Sequence, residues 1–155
     1  MKKEQLKRIF EFLEEKEEQN PPFKWKLLNN KPLSEDDLDV KYDLILTESP
    51  ITSLPEGLKV GGSLDLSHSK VKLLPEGLKV AFSLYLLNSR IKSLPEGLKV
   101  GWNLSLQSCT FITSLPKGLE VGGSLVIRNS SLEDYTDEEL REMIKPGFIK
   151  GKIYR

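Results

Sequence analysis

Ile51-Thr52-Ser53-Leu54-Pro55-Glu56-Gly57-Leu58-Lys59-Val60-Gly61-Gly62-Ser63-Leu64-Asp65-Leu66-Ser67-His68-Ser69-Lys70 is followed by two near copies, Val71 to Arg90 and Ile91 to Thr110. A third copy, Phe111 to Ser131, carries one extra residue. A fixed period of about twenty residues signals stacked units, each leaving an apolar face that its neighbour covers. The apolar columns run through Ile51, Val71, Ile91 and Ile112; Leu54, Leu74, Leu94 and Leu115; Leu58, Leu78, Leu98 and Leu119; and Val60, Val80, Val100 and Val121. The alternating pair Leu64/Leu66 returns as Leu84/Leu86, Leu104/Leu106 and Leu125/Ile127, which predicts a strand with both members inward. Stacked at strand spacing, these strands make a parallel sheet rising about 4.8 Å per step. Pro55 and Gly57, with their equivalents in each copy, mark a turn on every lap.

The array extends outward from this core. Val40, Leu44 and Leu46 stand one period before Val60, Leu64 and Leu66, so a degenerate first unit begins at Leu33 and the array holds about five units. Leu6, Ile9, Phe10 and Leu13 predict an amphipathic helix over residues 1 to 19, ended by Asn20-Pro21-Pro22. Such a helix suits a cap over the open end of the stack, and Phe23, Trp25 and Leu27 alternate as in a short strand or extended cap segment. After Leu132 the period stops. Thr136-Asp137-Glu138-Glu139 is a capping-box pattern ahead of Leu140, Met143 and Ile144, and Phe148, Ile149, Ile153 and Tyr154 suit a last strand or hairpin. The expected organisation is an N-terminal helical cap over 1–32, a solenoid over 33–132 and a C-terminal helical cap and tail over 133–155.

Leu64-x-Leu66-x-x-Ser69-x-Val71-x-x-Leu74-Pro75-x-x-Leu78 resembles the leucine-rich repeat in its short bacterial form, with Leu-Pro in every unit. The Leu-Pro-Glu-Gly-Leu-Lys-Val-Gly-Gly-Ser-Leu units are also similar to repeats in bacterial and bacteriophage proteins. The resemblance implies an α/β repeat solenoid with one parallel sheet, whose outer, concave face holds the ligand. The sequence departs from that pattern at two places. Ser49, Ser69, Ser89, Cys109 and Ser130 replace the family's inward asparagine, and Val-Gly-Gly stands where another leucine is usual. A small hydroxyl can still bond the loop backbone; the second departure keeps a parallel β-solenoid open as the alternative cross-section.

Equal numbers of acidic and basic side chains argue against a generic nucleic-acid or membrane-surface binder, although residues 51–131 hold nine basic against five acidic groups. The single cysteine points to a reducing compartment, and no apolar run suggests an export signal or a membrane span, so a cytoplasmic protein is expected. Catalytic chemistry finds little support. Asp65, His68 and Ser69 are close in sequence, but alternation sends Asp65 outward while Ser69 joins the inward column. Cys109 occupies that same column and reads as a buried structural thiol. One Cys and one His make no zinc site of the usual kind, and the Gly-Gly pairs lack the context of a phosphate loop. No enzyme activity, metal or cofactor is expected.

The expected function lies on the surface. Gly61-Gly62 becomes Ala81-Phe82 and then Gly101-Trp102, and large rings at a turn that accepts glycine suggest an exposed cluster, extended by Tyr85 and Leu87. Core filling is the competing reading of Phe82 and Trp102. Lys70, Lys72, Arg90 and Lys92 form a basic stripe, whereas Glu56, Glu76 and Glu96 are expected to neutralise Lys59, Lys79 and Lys99 within each lap. Lys117 and Glu120 reverse that order. A noncatalytic, monomeric protein-binding module follows, and the phage resemblance implies an inhibitor that occupies a bacterial enzyme or defence nuclease. The alternatives are an RNA or nucleoprotein binder using the basic stripe, and a self-associating structural repeat.

Overall fold

The structure, a computed structural model, describes Arg8 and residues 22 to 155; the helix expected over residues 1 to 19 lies outside these except for Arg8. Among the described residues, twelve two-residue strands form two six-stranded sheets with every pairing parallel. One sheet, here sheet A, stacks β1 (Asp39–Val40), β3 (Lys59–Val60), β5 (Lys79–Val80), β7 (Lys99–Val100), β9 (Glu120–Val121) and β11 (Phe148–Ile149). The other, sheet B, stacks β2 (Leu44–Ile45), β4 (Leu64–Asp65), β6 (Leu84–Tyr85), β8 (Leu104–Ser105), β10 (Leu125–Val126) and β12 (Ile153–Tyr154). The chain is therefore a parallel β-solenoid of about four turns at the twenty-residue period. The alternative cross-section is the one observed: Lys-Val ahead of each Gly-Gly is a strand of a second sheet, where one sheet alone was expected.

Burial alternates as the pattern demands. The second residue of every sheet A strand is buried, and the lysines before Val60, Val80 and Val100 are exposed; in sheet B Leu64 and Leu66 are buried and Asp65 is not. All the leucine columns fuse into one core, and each fully buried leucine is worth roughly 1.5–3 kcal/mol. That sum holds the register against local preference. Lys99 pairs with Glu120, so the inserted residue of the last copy is absorbed between rungs.

Two β-turns bend every lap. At the first, the Leu78 amide bonds Pro75 O at 3.3 Å with Gly77 left-handed between them. At the second, the Ser69 amide bonds Leu66 O at 3.1 Å with His68 left-handed at φ 57°. A positive φ at the third residue is what a type II turn requires. Between the second corner and the next Leu-Pro runs an irregular third side, held by single contacts such as the Lys92 amide to Lys72 O at 3.0 Å.

The ends differ from expectation. Phe23, Trp25 and Leu27 lie on a helix, α1 (Phe23–Leu28), not a strand; Phe23 and Leu27 share one face of it and pack on the core, and Lys26 pairs with Asp37 at 2.8 Å. Pro22 suits a helix start because its missing amide would have no intrahelical partner. At the other end α2 (Asp137–Met143) carries the capping box between Thr136 and Glu139 and buries Leu140. The stack then resumes. Phe148–Ile149 and Ile153–Tyr154 form no hairpin but a sixth rung, one strand added to each sheet.

Candidate functional site

The corner between sheets A and B carries the column Tyr42, Gly62, Phe82, Trp102, Gly123 and Gly151. From Gly62 onward its backbone is a continuous ladder: the Phe82 amide bonds Gly62 O at 3.2 Å, Trp102 bonds Phe82 O at 3.0 Å, Gly123 bonds Trp102 O at 2.8 Å and Gly151 bonds Gly123 O at 2.8 Å. Phe82 and Trp102 are 57% and 59% exposed, so neither fills a gap in the core. Their rings sit on adjacent rungs, about 4.8 Å apart at the backbone.

Glycine on either side of the rings has a steric cause. Asp43 Oδ1 accepts the Ser63 amide at 2.6 Å, and a Cβ on Gly62 would stand 2.3 Å from that oxygen. Asn103 Oδ1 accepts the Ser124 amide at 2.8 Å and crowds Gly123 at 2.4 Å in the same way. Below Phe82 and Trp102 the shorter Ser63 and Ser83 hydroxyls take the corresponding amides at 3.3 Å. The corner accommodates a side chain at 82 and 102, where both rings are exposed. It does not call for a ring.

From that corner the outer face of sheet B presents Ile45, Asp65, Tyr85, Ser105, Val126 and Tyr154 in register. Tyr85 is 41% exposed and three residues past Phe82; Leu87, half-buried, stands at the far end of the sheet. Lys70, Lys72, Arg90 and Lys92 are all exposed, but they lie past the second corner, on the third side of the solenoid. Rings and basic stripe thus flank sheet B without adjoining one another. Tyr42, 53% exposed in the same column as the rings, was missed. Its spacing from Val40 and Leu44 matches that of Phe82 from Val80 and Leu84, so the period itself carried the signal.

The within-lap neutralisation does not occur. Among the described residues, no ion pair within 4 Å joins Glu56 to Lys59, Glu76 to Lys79 or Glu96 to Lys99, because the glycine corner stands between the two columns. The lysines instead stack on one another, Lys59 opposite Lys79 and Lys79 opposite Lys99. Acids close this ladder: Asp39 lies opposite Lys59, and Glu120 pairs with Lys99 at 3.0 Å. That pairing accounts for the reversed order of Lys117 and Glu120. The hydrogen bond from Lys41, with the charges of Lys41 and Lys59, holds the Asp39 carboxyl below its usual range.

The remaining candidates are scattered. Asp65 Oδ1 accepts the Ser67 amide at 2.9 Å, the exposed His68 ring lies 3.3 Å from Asn88 Nδ2, and Ser69 is buried with its hydroxyl unpartnered. Cys109 is buried, its thiol donating to Leu86 O at 2.9 Å, and burial pushes its pKa up. The inward hydroxyls bond backbone only in part: Ser130 reaches Ile127 O at 2.6 Å, whereas Ser49, like Ser69, has no partner. Among the described residues no group of three or more His, Cys, Asp or Glu is placed to hold a metal ion, and no helix is long and apolar enough to cross a membrane. No protein-family model, curated protein or solved structure matches the chain.

Proposed function

We propose that the chain is a noncatalytic protein-binding module whose contact centres on Phe82, Tyr85, Leu87 and Trp102. The observation that carries this reading is the pair of rings more than half exposed on adjacent rungs, at a position with no structural need for either. Aromatic surface left in water is the richest source of interface energy available to a rigid scaffold. Lys70, Lys72, Arg90 and Lys92 act as a second contact across sheet B and set the partner's orientation. The likeness to short leucine-rich repeats belongs to the same proposal: the outward face of a parallel sheet is the binding wall, and helices at both ends close the stack. The burial of Phe23 and Leu140 supports that capping role. The module acts as a monomer in the cytoplasm and inhibits a bacterial enzyme or defence nuclease by occupying it; that last identification rests on the phage resemblance alone.

Affinity capture from a lysate of the native source tests the proposal, with wild type beside Phe82→Ser/Trp102→Ser. The double variant loses a partner that wild type retains; equal partner lists from two folded proteins remove the corner from contention. A second reading, an RNA or nucleoprotein binder, is favoured by one observation: among the described residues none of the four stripe cations has a carboxylate within 4 Å. Salt separates the two, since counterion release makes affinity for a polyanion fall steeply with ionic strength. A protein contact centred on the rings weakens far less steeply, because its few charge pairs are screened without the release of a condensed counterion layer.

A further inference from the structure

Cations other than the basic stripe stand nearest the rings along the chain. Lys79-Val80-Ala81-Phe82 and Lys99-Val100-Gly101-Trp102 are equivalent runs on adjacent laps, with Lys79 opposite Lys99 in the sheet. Both valines point inward, so three rows lie on the outside: two lysines, two small residues and two rings, all exposed. Three residues span at most about 10 Å between lysine and ring. Arg90, by contrast, is eight residues past Phe82, with the width of sheet B and the Asn88 corner between them.

Only these two laps combine the elements. The lap before has Lys59 but Gly62, and the lap after has Glu120 and Gly123. The small row is set by packing, since a Cβ on Gly101 would come 1.9 Å from Ala81 O, and it says nothing of a ligand. Packing does not set the lysines, and like charges directly opposite each other in a sheet are unfavourable. Lys59 has Asp39 opposite it and Lys99 has Glu120, which leaves Lys79 between two cations; among the described residues no carboxylate lies within 4 Å of it. A shallow cleft runs beside this ladder, over Gly61, Ala81 and Gly101.

We infer that this array takes a short acidic segment of the partner protein, with carboxylates on Lys79 and Lys99 and a neighbouring apolar side chain against Phe82 and Trp102. The inference rests on the reading that the rings face a protein partner, and it names what that partner presents. A nucleic-acid strand fits less well. Its phosphates would leave the lysines after three rungs and meet Asp39 or Glu120, with the exposed column Glu56, Glu76 and Glu96 running alongside.

Fluorescence polarisation tests it with three labelled probes: a short peptide alternating glutamate with phenylalanine, its glutamine counterpart, and an oligouridylate of matched length. Wild type binds the glutamate peptide saturably. The glutamine peptide, and the variant Lys79→Glu/Lys99→Glu with the glutamate peptide, each bind about tenfold more weakly, as loss of two exposed charge contacts implies. Replacing Lys24 and Lys145, exposed lysines outside both proposed contacts, together by alanine changes affinity by less than about twofold. Circular dichroism establishes that every variant is folded. Three results overturn the inference: no saturable binding by wild type, full binding by Lys79→Glu/Lys99→Glu, or oligouridylate outcompeting the peptide. If Phe82→Ser/Trp102→Ser loses the captured partner while Lys79→Glu/Lys99→Glu keeps it, the acidic segment is wrong and the aromatic contact stands. If both variants keep that partner, the docking face itself is wrong.

Discussion

At one corner of each lap the left-handed residue is glycine, at Gly57, Gly77, Gly97 and Gly118; at the other it is Glu48, His68, Asn88, Ser108 and Asn129. Both corners use the same turn, closed from the fourth residue's amide to the first residue's carbonyl. Left-handed backbone costs a residue with a Cβ roughly 1–2 kcal/mol, so the second corner is held by what surrounds it and not by its own preference. The buried Leu or Ile two residues before it fixes the carbonyl on which the backbone amide of the following Ser or Cys closes. The glycine corner is local, whereas the polar corner is a product of the stack.

This difference can be broken or sharpened by substitution. The largest effect is expected at Leu66, buried and bearing the carbonyl that closes the polar corner: Leu66→Ala lowers unfolding free energy by about 2–5 kcal/mol in urea titration. Gly77→Ala comes next. An added Cβ there meets nothing within 4 Å, so the cost is the left-handed backbone alone, about 1–2 kcal/mol. His68→Gly has the opposite sign: relief of backbone strain, less the extra entropy of an unfolded glycine, leaves stability unchanged or raised by up to about 1 kcal/mol. Equal losses at both corners would show that they are not held differently.

Cys109, beside the left-handed Ser108, gives a chemical readout of the same corner. Its thiol stays unreactive toward an alkylating reagent in the folded chain and reacts on unfolding. Because burial raises the folded thiol's pKa above the unfolded value, the stability it contributes is full below the unfolded pKa. That contribution is lost as pH rises through the folded pKa, so Cys109→Ser flattens the alkaline side of the stability profile. The smallest effect on stability belongs to Phe82→Ser/Trp102→Ser, under about 0.5 kcal/mol, since both rings are already in water.

The apolar columns were legible because each repeats four times, at twenty residues and once at twenty-one, and every member proved buried apart from the half-buried Ile51. The second sheet was not. Lys59-Val60 is two residues between Pro-Glu-Gly and Gly-Gly, and only its pairing across laps makes it a strand. Phe23, Trp25 and Leu27 follow a period of two, yet the helical neighbours Phe23 and Leu27 won because the core lies on one side only. The last rung escaped because Phe148–Ile149 and Ile153–Tyr154 lack the Leu-x-Leu signature and follow a helix-bearing insertion. On the surface, Phe82 and Trp102 stood out against neighbouring glycines. The lysine ladder did not, because the pairing with glutamate three residues earlier is plausible in sequence and prevented by the glycine corner in space.

Hydroxyl-radical footprinting of the chain alone and with its captured partner bears most directly on the claim that the solenoid docks through this corner. Phe82, Trp102 and Tyr85 are predicted to oxidise readily in the free chain and to be protected in the complex. Trp25, of comparable exposure but on α1, serves as the internal control and stays unchanged. Protection of Trp25 with Phe82 and Trp102 still oxidised would contradict the account.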